Sequence, residues 1–508
     1  MKQVSVIFAF VLLVLLSAPL WAAAPVKTES GRVEGTAGNN PMVRIYKGIP
    51  YAAPPVGDLR WAPPQPPAHW QGIRKATEFG NRCPQNHAYN DMVFRDKGES
   101  EDCLYLNVWL PASAKANAKL PVLFWLHGGG YEAGSGDEPR YDGESFAGQG
   151  IVVVSINYRL GVLGFFAHPD LATNSPQHAT GNYGLLDIAA ALKWVHNNIG
   201  AFGGDPAHVT IGGESAGSMA VSAVMASPLS KGLYAAAIGE SGAVFTPKPT
   251  TYFRTVSTAT AESRSVDWVK AANASSVGEL RARPFEELAK TPFRGIVNAH
   301  DGLFFDKDPM EVYEAGDQGH VPVLLGWNSE EAKGGIKQKP TVESYKAFLQ
   351  SIFHDDTDEA LRYFPARDDT QAYDSMLALE SDLFTVFPTW LWSQYQSQSG
   401  HAPVYRYVFK RAVPGGVGVV HASEIEYVFD TLNSKKGVTW TDGDRELART
   451  MNAYWANFIR TGNPNGGGLP LWPSYDEDKV MGLDLEVKAV PESYKLSHQF
   501  LDFYTASR

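Results

Sequence analysis

Two short apolar runs, Leu120 to Leu126 (LPVLFWL) and Ile151 to Ile156 (IVVVSI), are bounded by Gly or Pro and show no alternation of polar and apolar positions. Strands of that kind are buried on both faces, as in the middle of a parallel sheet. From Gly184 to Ile199 the period changes: Leu185, Ile188, Ala189, Leu192, Val195 and Ile199 recur at helical spacing until Gly200 and Gly203-Gly204 end the run. This predicts an amphipathic helix laid on a sheet. Val209-Thr210-Ile211, then Gly212 to Gly217, then the Ala-, Met- and Val-rich stretch Ser218 to Ala226 read as strand, tight turn and helix. Ala235 to Ile238, Val321 to Leu325 and Val404 to Phe409 repeat the short-strand theme with helical stretches between them. The alternation predicts an α/β fold with a large central, mostly parallel twisted sheet and helices on both faces. The stretches of about 245–300 and 335–395 are predicted as helical insertions forming a cap over one end of the sheet. Residues 25–508 are expected to form a single catalytic domain, without internal repeats or low-complexity tracts.

Composition narrows the picture only a little. The 508 residues are 44 % hydrophobic and 19 % charged, ordinary globular usage with enough apolar surface for a sizeable core. The formal net charge of -11, with no cluster of Lys and Arg, argues against a nucleic-acid partner. At the start stand Lys2, an apolar run from Val4 to Leu16, Ser17, Ala18 and Ala22-Ala23-Ala24. That pattern predicts a signal peptide over about residues 1–24, because the run is shorter than the roughly 20 apolar residues a membrane span needs. A secreted or periplasmic product, without stable membrane insertion after cleavage, is expected. Cys83 and Cys103 are the two cysteines of the chain, and one pair in an exported chain predicts a disulfide.

Gly213-Glu214-Ser215-Ala216-Gly217 has the G-x-S-x-G spacing of a nucleophile elbow, in which a sharp turn lifts a serine hydroxyl out at the sheet edge. The pattern alone recurs by chance; here a predicted strand precedes it and a predicted helix follows. An acyl-transfer enzyme also needs preorganised N–H donors for the developing oxyanion. His127-Gly128-Gly129-Gly130 follows its strand directly, and the expected donors are Gly129, Gly130 and Ala216. Serine chemistry requires a base and an acid that orients it, in the chain order serine, acid, histidine. The histidines after Ser215 are His300, His320, His354, His401, His421 and His498. His421 stands out because the flexible Gly415-Gly416-Val417-Gly418 stretch after a strand can project it over the sheet edge. Glu330 and Glu331 both follow the strand Val321 to Leu325, and spacing does not choose between them.

With these motifs on view, the chain resembles the type-B carboxylesterases, a family that includes cholinesterases and some fungal lipases. The resemblance runs through Ser100 to Val108 (SEDCLYLNV), His127 to Gly130, Asn157 to Gly161 (NYRLG), Phe202 to Pro206 (FGGDP) and Gly213 to Gly217. It implies an α/β-hydrolase fold, Ser215 as nucleophile, His421 as base and Glu331 as acid. Glu214 becomes a site carboxylate, Ser241 a serine beside the triad, and Cys83 and Cys103 the N-terminal disulfide. Phe304 and Phe305 stand where the family lines its acyl pocket. There are departures: Ala332 follows the acid where Gly is usual, and Glu240 stands where Gln is common. The loop between the cysteines carries no tryptophan, which argues against choline esters, since cation–π contact holds the quaternary ammonium there. The same loop is short and polar (Asn86, His87, Asn90, Asp91, Arg95, Asp96, Lys97), unlike an apolar lipase lid.

The expected function is a serine carboxylic-ester hydrolase acting on soluble short-chain or aromatic small-molecule esters through an acyl-enzyme. The rivals are a lipase or amidase of the same fold and a non-catalytic binding relative. No metal site or cofactor is expected, the histidines lacking a paired-ligand spacing. Nothing in the sequence fixes an oligomeric state.

Overall fold

Which backbone segments pair, and in what order, decides where the candidate residues meet. The computed structural model describes residues 25–85, 89–175, 178–244, 255–295, 297–400, 402–475 and 478–506. The predicted signal peptide, Asn86 and His87, and His401 lie outside them. Eleven of the described strands form one sheet. In chain order they are β1 (Thr36–Ala37), β2 (Val43–Pro50), β3 (Tyr105–Pro111), β4 (Leu120–Leu126), β5 (Val152–Ile156), β6 (Gly204–Glu214), β7 (Ala236–Glu240), β8 (Val323–Asn328), β9 (Val404–Phe409), β10 (Lys479–Leu483) and β11 (Lys488–Pro491). Their spatial order is β11-β10-β9-β8-β7-β6-β4-β5-β3-β2-β1. The block from β10 to β5 is parallel, and β11 and β3 to β1 extend it antiparallel at the two edges. A second, three-stranded sheet of Val26–Lys27, Arg32–Glu34 and Ile73–Lys75 sits apart.

The apolar runs become the inner strands because only there are both faces covered: every residue of β5, β7, β8 and β9 is buried. The antiparallel edges were not legible, since strands such as β2 mix buried and half-buried positions. β6 runs longer than Val209 to Ile211, reaching back to Gly204, where the Leu120 end of β4 pairs with it.

Of the helices, those that bear on the site are α1 (Tyr183–Asn198), α2 (Ala216–Ala226), α3 (Asp369–Ser381), α4 (Phe387–Gln398), α5 (Asp442–Thr461) and α6 (Lys495–Ala506). α1 and α2 bury their apolar faces in the core on one side of the sheet, and α5 in the core on the other. α5 begins where Thr441 and Asp444 cap each other's backbone N–H groups and ends at Gly462, whose φ of 71° suits glycine. In the predicted insertion stretches lie Thr258–Ala271, Val277–Ala282 and Val342–Phe353, then α3, a π-helical turn at Asp382–Val386, and α4. No helix among the described residues is long and apolar enough to cross a membrane.

Candidate active site

Ser215 occupies the single residue between β6 and α2, with φ 56° and ψ −122°. A residue with a side chain avoids that region, so the surroundings must impose it. They do so by close approach: a Cβ at Gly213 would lie 2.5 Å from the Gly217 carbonyl carbon, and one at Gly217 would collide with the Leu126 carbonyl oxygen. The glycines are therefore there to let the turn pack against the end of β4. The Ser215 N–H donates to the Glu240 carbonyl at 2.8 Å, tying the turn to β7. Ser215 remains 5 % exposed at the positive end of α2.

The Gly loop after β4 lies against this turn. A Cβ at Gly128 would fall 2.6 Å from Glu214 Oε2 and 3.0 Å from Ser215 Cβ. Gly129 (φ 104°) and Gly130 (φ 65°) adopt backbone conformations that favour glycine. The loop is pinned, with the Gly129 carbonyl accepting the N–H groups of Glu132 and Ala133 at 3.0 Å each. The His127 ring stacks on Tyr158 at 4.4 Å, and the Tyr158 hydroxyl donates to the His127 carbonyl at 2.8 Å. Burial pushes the His127 pKa down to about 4, so this ring is neutral and serves as packing. The disulfide Cys83–Cys103 is present, and Gln85 links it to the loop by bonding the Cys83 carbonyl (3.1 Å) and the Gly134 carbonyl (3.2 Å).

His421 comes from the loop between β9 and α5. Its Nδ1 lies 2.6 Å from Glu331 Oε2 and its Nε2 lies 3.3 Å from Glu214 Oε1, the side chain next to Ser215. The Glu331 Oε1 accepts the Ser241 hydroxyl (2.6 Å) and the Asn328 N–H (2.7 Å). Burial alone would raise Glu331, but the His421 ring and these donors outweigh it and hold the carboxyl below its ordinary value. For His421, burial opposes the charged form, yet the carboxylates of Glu214, Glu331 and Glu424 prevail and raise its pKa. Glu214 is pushed up to about 8, chiefly by burial. Glu330 faces the other way: it accepts the Val419 N–H at 2.8 Å and pairs with Lys333 at 2.7 Å.

Ser215, Gly129, Gly130, Ala216, Glu214, Ser241, Glu331 and His421 therefore converge on the ends of β4, β6, β7 and β8. Phe304 and Phe305 do not join them. Both are fully buried, and the Phe304 carbonyl accepts the Ser227 hydroxyl at the far end of α2, roughly 18 Å along the helix from Ser215. Three further residues shape the site without having been singled out. Asn328 Nδ2 bonds Glu424 at 2.7 Å, Ser241 bridges Glu331 and Glu424 (3.3 Å to the latter), and the Phe384 ring meets His421 edge-on at 4.8 Å. Asn328 stands three residues before Glu331 and Glu424 three residues after His421, and that nearness in the chain was the available signal; Phe384 had none. Among the described residues no three His, Cys, Asp or Glu side chains are grouped to hold a metal ion.

Comparison with known proteins identifies the family. A family profile described as "Carboxylesterase family" matches residues 22–503. The chain is 37 % identical to a fumonisin B1 esterase of Sphingopyxis macrogoltabida, over 88 % of this chain and 84 % of that protein. It is 36 % identical to a human cocaine esterase, covering 92 % and 89 % of the two chains. Among solved structures, a PNB esterase superposes with a TM-score of 0.79 at 32 % identity, over 94 % of this chain and 99 % of that one.

Proposed function

This chain belongs to the carboxylesterase family and is a carboxylic ester hydrolase, and on that premise we propose a two-step mechanism with Ser215 as nucleophile, His421 as base and Glu331 as acid. The Ser215 Oγ attacks the ester carbonyl carbon while its proton passes to His421 Nε2. The Nδ1–H of His421 donates to Glu331, which fixes the tautomer and stabilises the imidazolium. The oxyanion accepts the N–H groups of Gly129, Gly130 and Ala216. Collapse expels the alcohol, which takes the proton from His421. Water, deprotonated in turn by His421, then attacks the acyl-enzyme; the adduct collapses, the bond to Ser215 Oγ breaks, the acid is released and Ser215 Oγ takes the proton back from His421. The observation that carries this reading is the 2.6 Å His421–Glu331 contact on a ring whose other nitrogen faces the residue before Ser215.

The substrates are soluble short-chain or aromatic esters. In support, the loop between the cysteines is pinned by ion pairs rather than free to act as an apolar lid: Asp91–Arg140 at 2.7 Å, Asp96–Arg82 at 2.8 Å and Arg95–Asp142 at 2.5 Å. The relatives named for fumonisin B1 and cocaine supply two further esters for a substrate panel. Export behind a signal peptide of about residues 1–24 is consistent with the disulfide, which persists in oxidising compartments.

The test is hydrolysis of p-nitrophenyl esters of increasing acyl length by the mature protein and by Ser215→Ala. Cleavage of short chains, lost by about 10⁵–10⁶-fold in the variant, is the expected result. An active Ser215→Ala, or no cleavage of any ester by the wild type, would overturn the mechanism.

A further inference from the structure

The register of β6, β7, β8 and β9 places Glu214, Glu240, Gly326 and Tyr407 in one row across the sheet. Residues paired in a parallel sheet present their side chains to the same face, and neighbouring strands lie about 4.8 Å apart. Two glutamates thus stand side by side. Gly326 leaves the next place in the row open, and the Tyr407 ring lies over it, so that a Cβ at Gly326 would collide with the ring.

The two carboxyl groups have unlike surroundings. Glu214 meets His421 Nε2 at 3.3 Å and feels the positive field of Arg140. Glu240 is 0 % exposed, its Oε1 accepts the Trp455 indole N–H from α5 at 2.8 Å, and its Oε2 has no hydrogen-bond partner. Among the described residues no Lys, Arg or His pairs with it. The titratable groups that face it are Glu214 from β6, Glu424 from the loop before α5 and Tyr407 from β9, all of them acids. A carboxylate buried without a cation and among other acids is strongly disfavoured.

We propose that Glu240 is a neutral carboxylic acid built into the sheet beneath the candidate site, a positioning residue that keeps a second negative charge out of the row and leaves Glu214 as the one carboxyl there that can ionise beside His421. Burial, and after it the neighbouring Glu424, push the Glu240 carboxyl well above the ordinary carboxylate range; burial raises Glu214 too, but the facing His421 and Arg140 draw it back down. The proton matters for the base. A second negative charge in the row would raise the His421 pKa further and withhold the neutral imidazole that accepts a proton from Ser215. That positioning role rests on the proposed Ser215 mechanism; the protonation of Glu240 does not.

Two measurements separate these claims. The first compares the Tm of wild type and Glu240→Gln from about pH 5 to about pH 9, without substrate; Gln keeps the acceptor for Trp455. A carboxyl whose pKa is raised on folding contributes stability at low pH that is lost as pH climbs from its unfolded value, about 4.3, toward its folded one. The Gln variant has no such loss, so the gap in its favour is expected to widen steadily with pH. A gap independent of pH, or one favouring wild type at alkaline pH, overturns the proposal. The second follows the acid limb of kcat/KM. Glu214→Gln is expected to move it to lower pH by about one unit or more, and Glu240→Gln by much less. An equal shift in the two variants would show that Glu240 carries charge. If no ester is cleaved, the mechanism fails while the first measurement still reads Glu240.

Discussion

Two of the described histidines, His421 and His498, hold buried carboxylates. His421 Nδ1 sits 2.6 Å from Glu331, and His498 Nε2 sits 2.9 Å from Asp382. The first side chain is 25 % exposed and the second 0 %. His421 opens toward the Ser215 turn and the Gly loop. His498, on α6, is enclosed by Tyr494, Trp390 and Phe387 at 5.1 to 5.8 Å, and its Nδ1 has no partner. Histidine paired with a carboxylate therefore does not make a site; a strained serine turn, a glycine loop packed beside it and access set the candidate site apart. The two pairs are also joined. Asp382 starts the π-helical turn that carries Phe384, the ring packed on His421, so the closed pair anchors the wall of the open one.

Removing each histidine breaks the comparison most directly. His421→Ala is expected to lower kcat by about 10⁵–10⁶-fold with little change in Tm, because Glu331 keeps the Ser241 hydroxyl and the Asn328 N–H as donors. His498→Leu should do the reverse, losing on the order of 3 kcal/mol in chemical denaturation because Asp382 is left buried without its partner, while the folded enzyme keeps kcat within about tenfold. A His498→Leu enzyme that is stable but inactive would give His498 a chemical role and erase the distinction. Glu331→Gln comes next, with a loss of about 10³–10⁴-fold in kcat from the wrong tautomer. Phe384→Ala should cost about 3- to 10-fold in kcat, the worth of an edge-on ring contact, and would measure how far the π-helical turn steadies His421. Glu330→Gln is the smallest, within about threefold in kcat and under about 1 kcal/mol in stability, since its ion pair with Lys333 is part-exposed. A larger loss at Glu330 than at Glu331 would reverse the assignment of the acid.

Much of this was legible in the chain. The buried strands announced themselves because a strand covered on both faces has no polar side, and β4 and β9 have the same bounds as the runs Leu120 to Leu126 and Val404 to Phe409. The elbow and the Gly loop were legible because close approach of backbones excludes side chains, and glycine records that exclusion locally. The antiparallel edges were hidden, since half-exposed strands carry no continuous apolar signal. Phe304 and Phe305 show the opposite failure, a pair of aromatics whose neighbours along the chain say nothing of which end of α2 they pack against.

By itself the sequence determined the order of elements, the serine turn, the Gly loop and the short set of histidines and acids from which a site could be built. Only the tertiary structure decided which of them meet. It turned Glu331 toward His421 and Glu330 toward Val419 and Lys333, set Glu240 beside Glu214, and sealed His498 among aromatic rings. The reason is physical: turns and strands follow from interactions within a few residues, whereas burial, charge pairing and the direction of a side chain depend on strands that lie far apart in sequence and side by side in space.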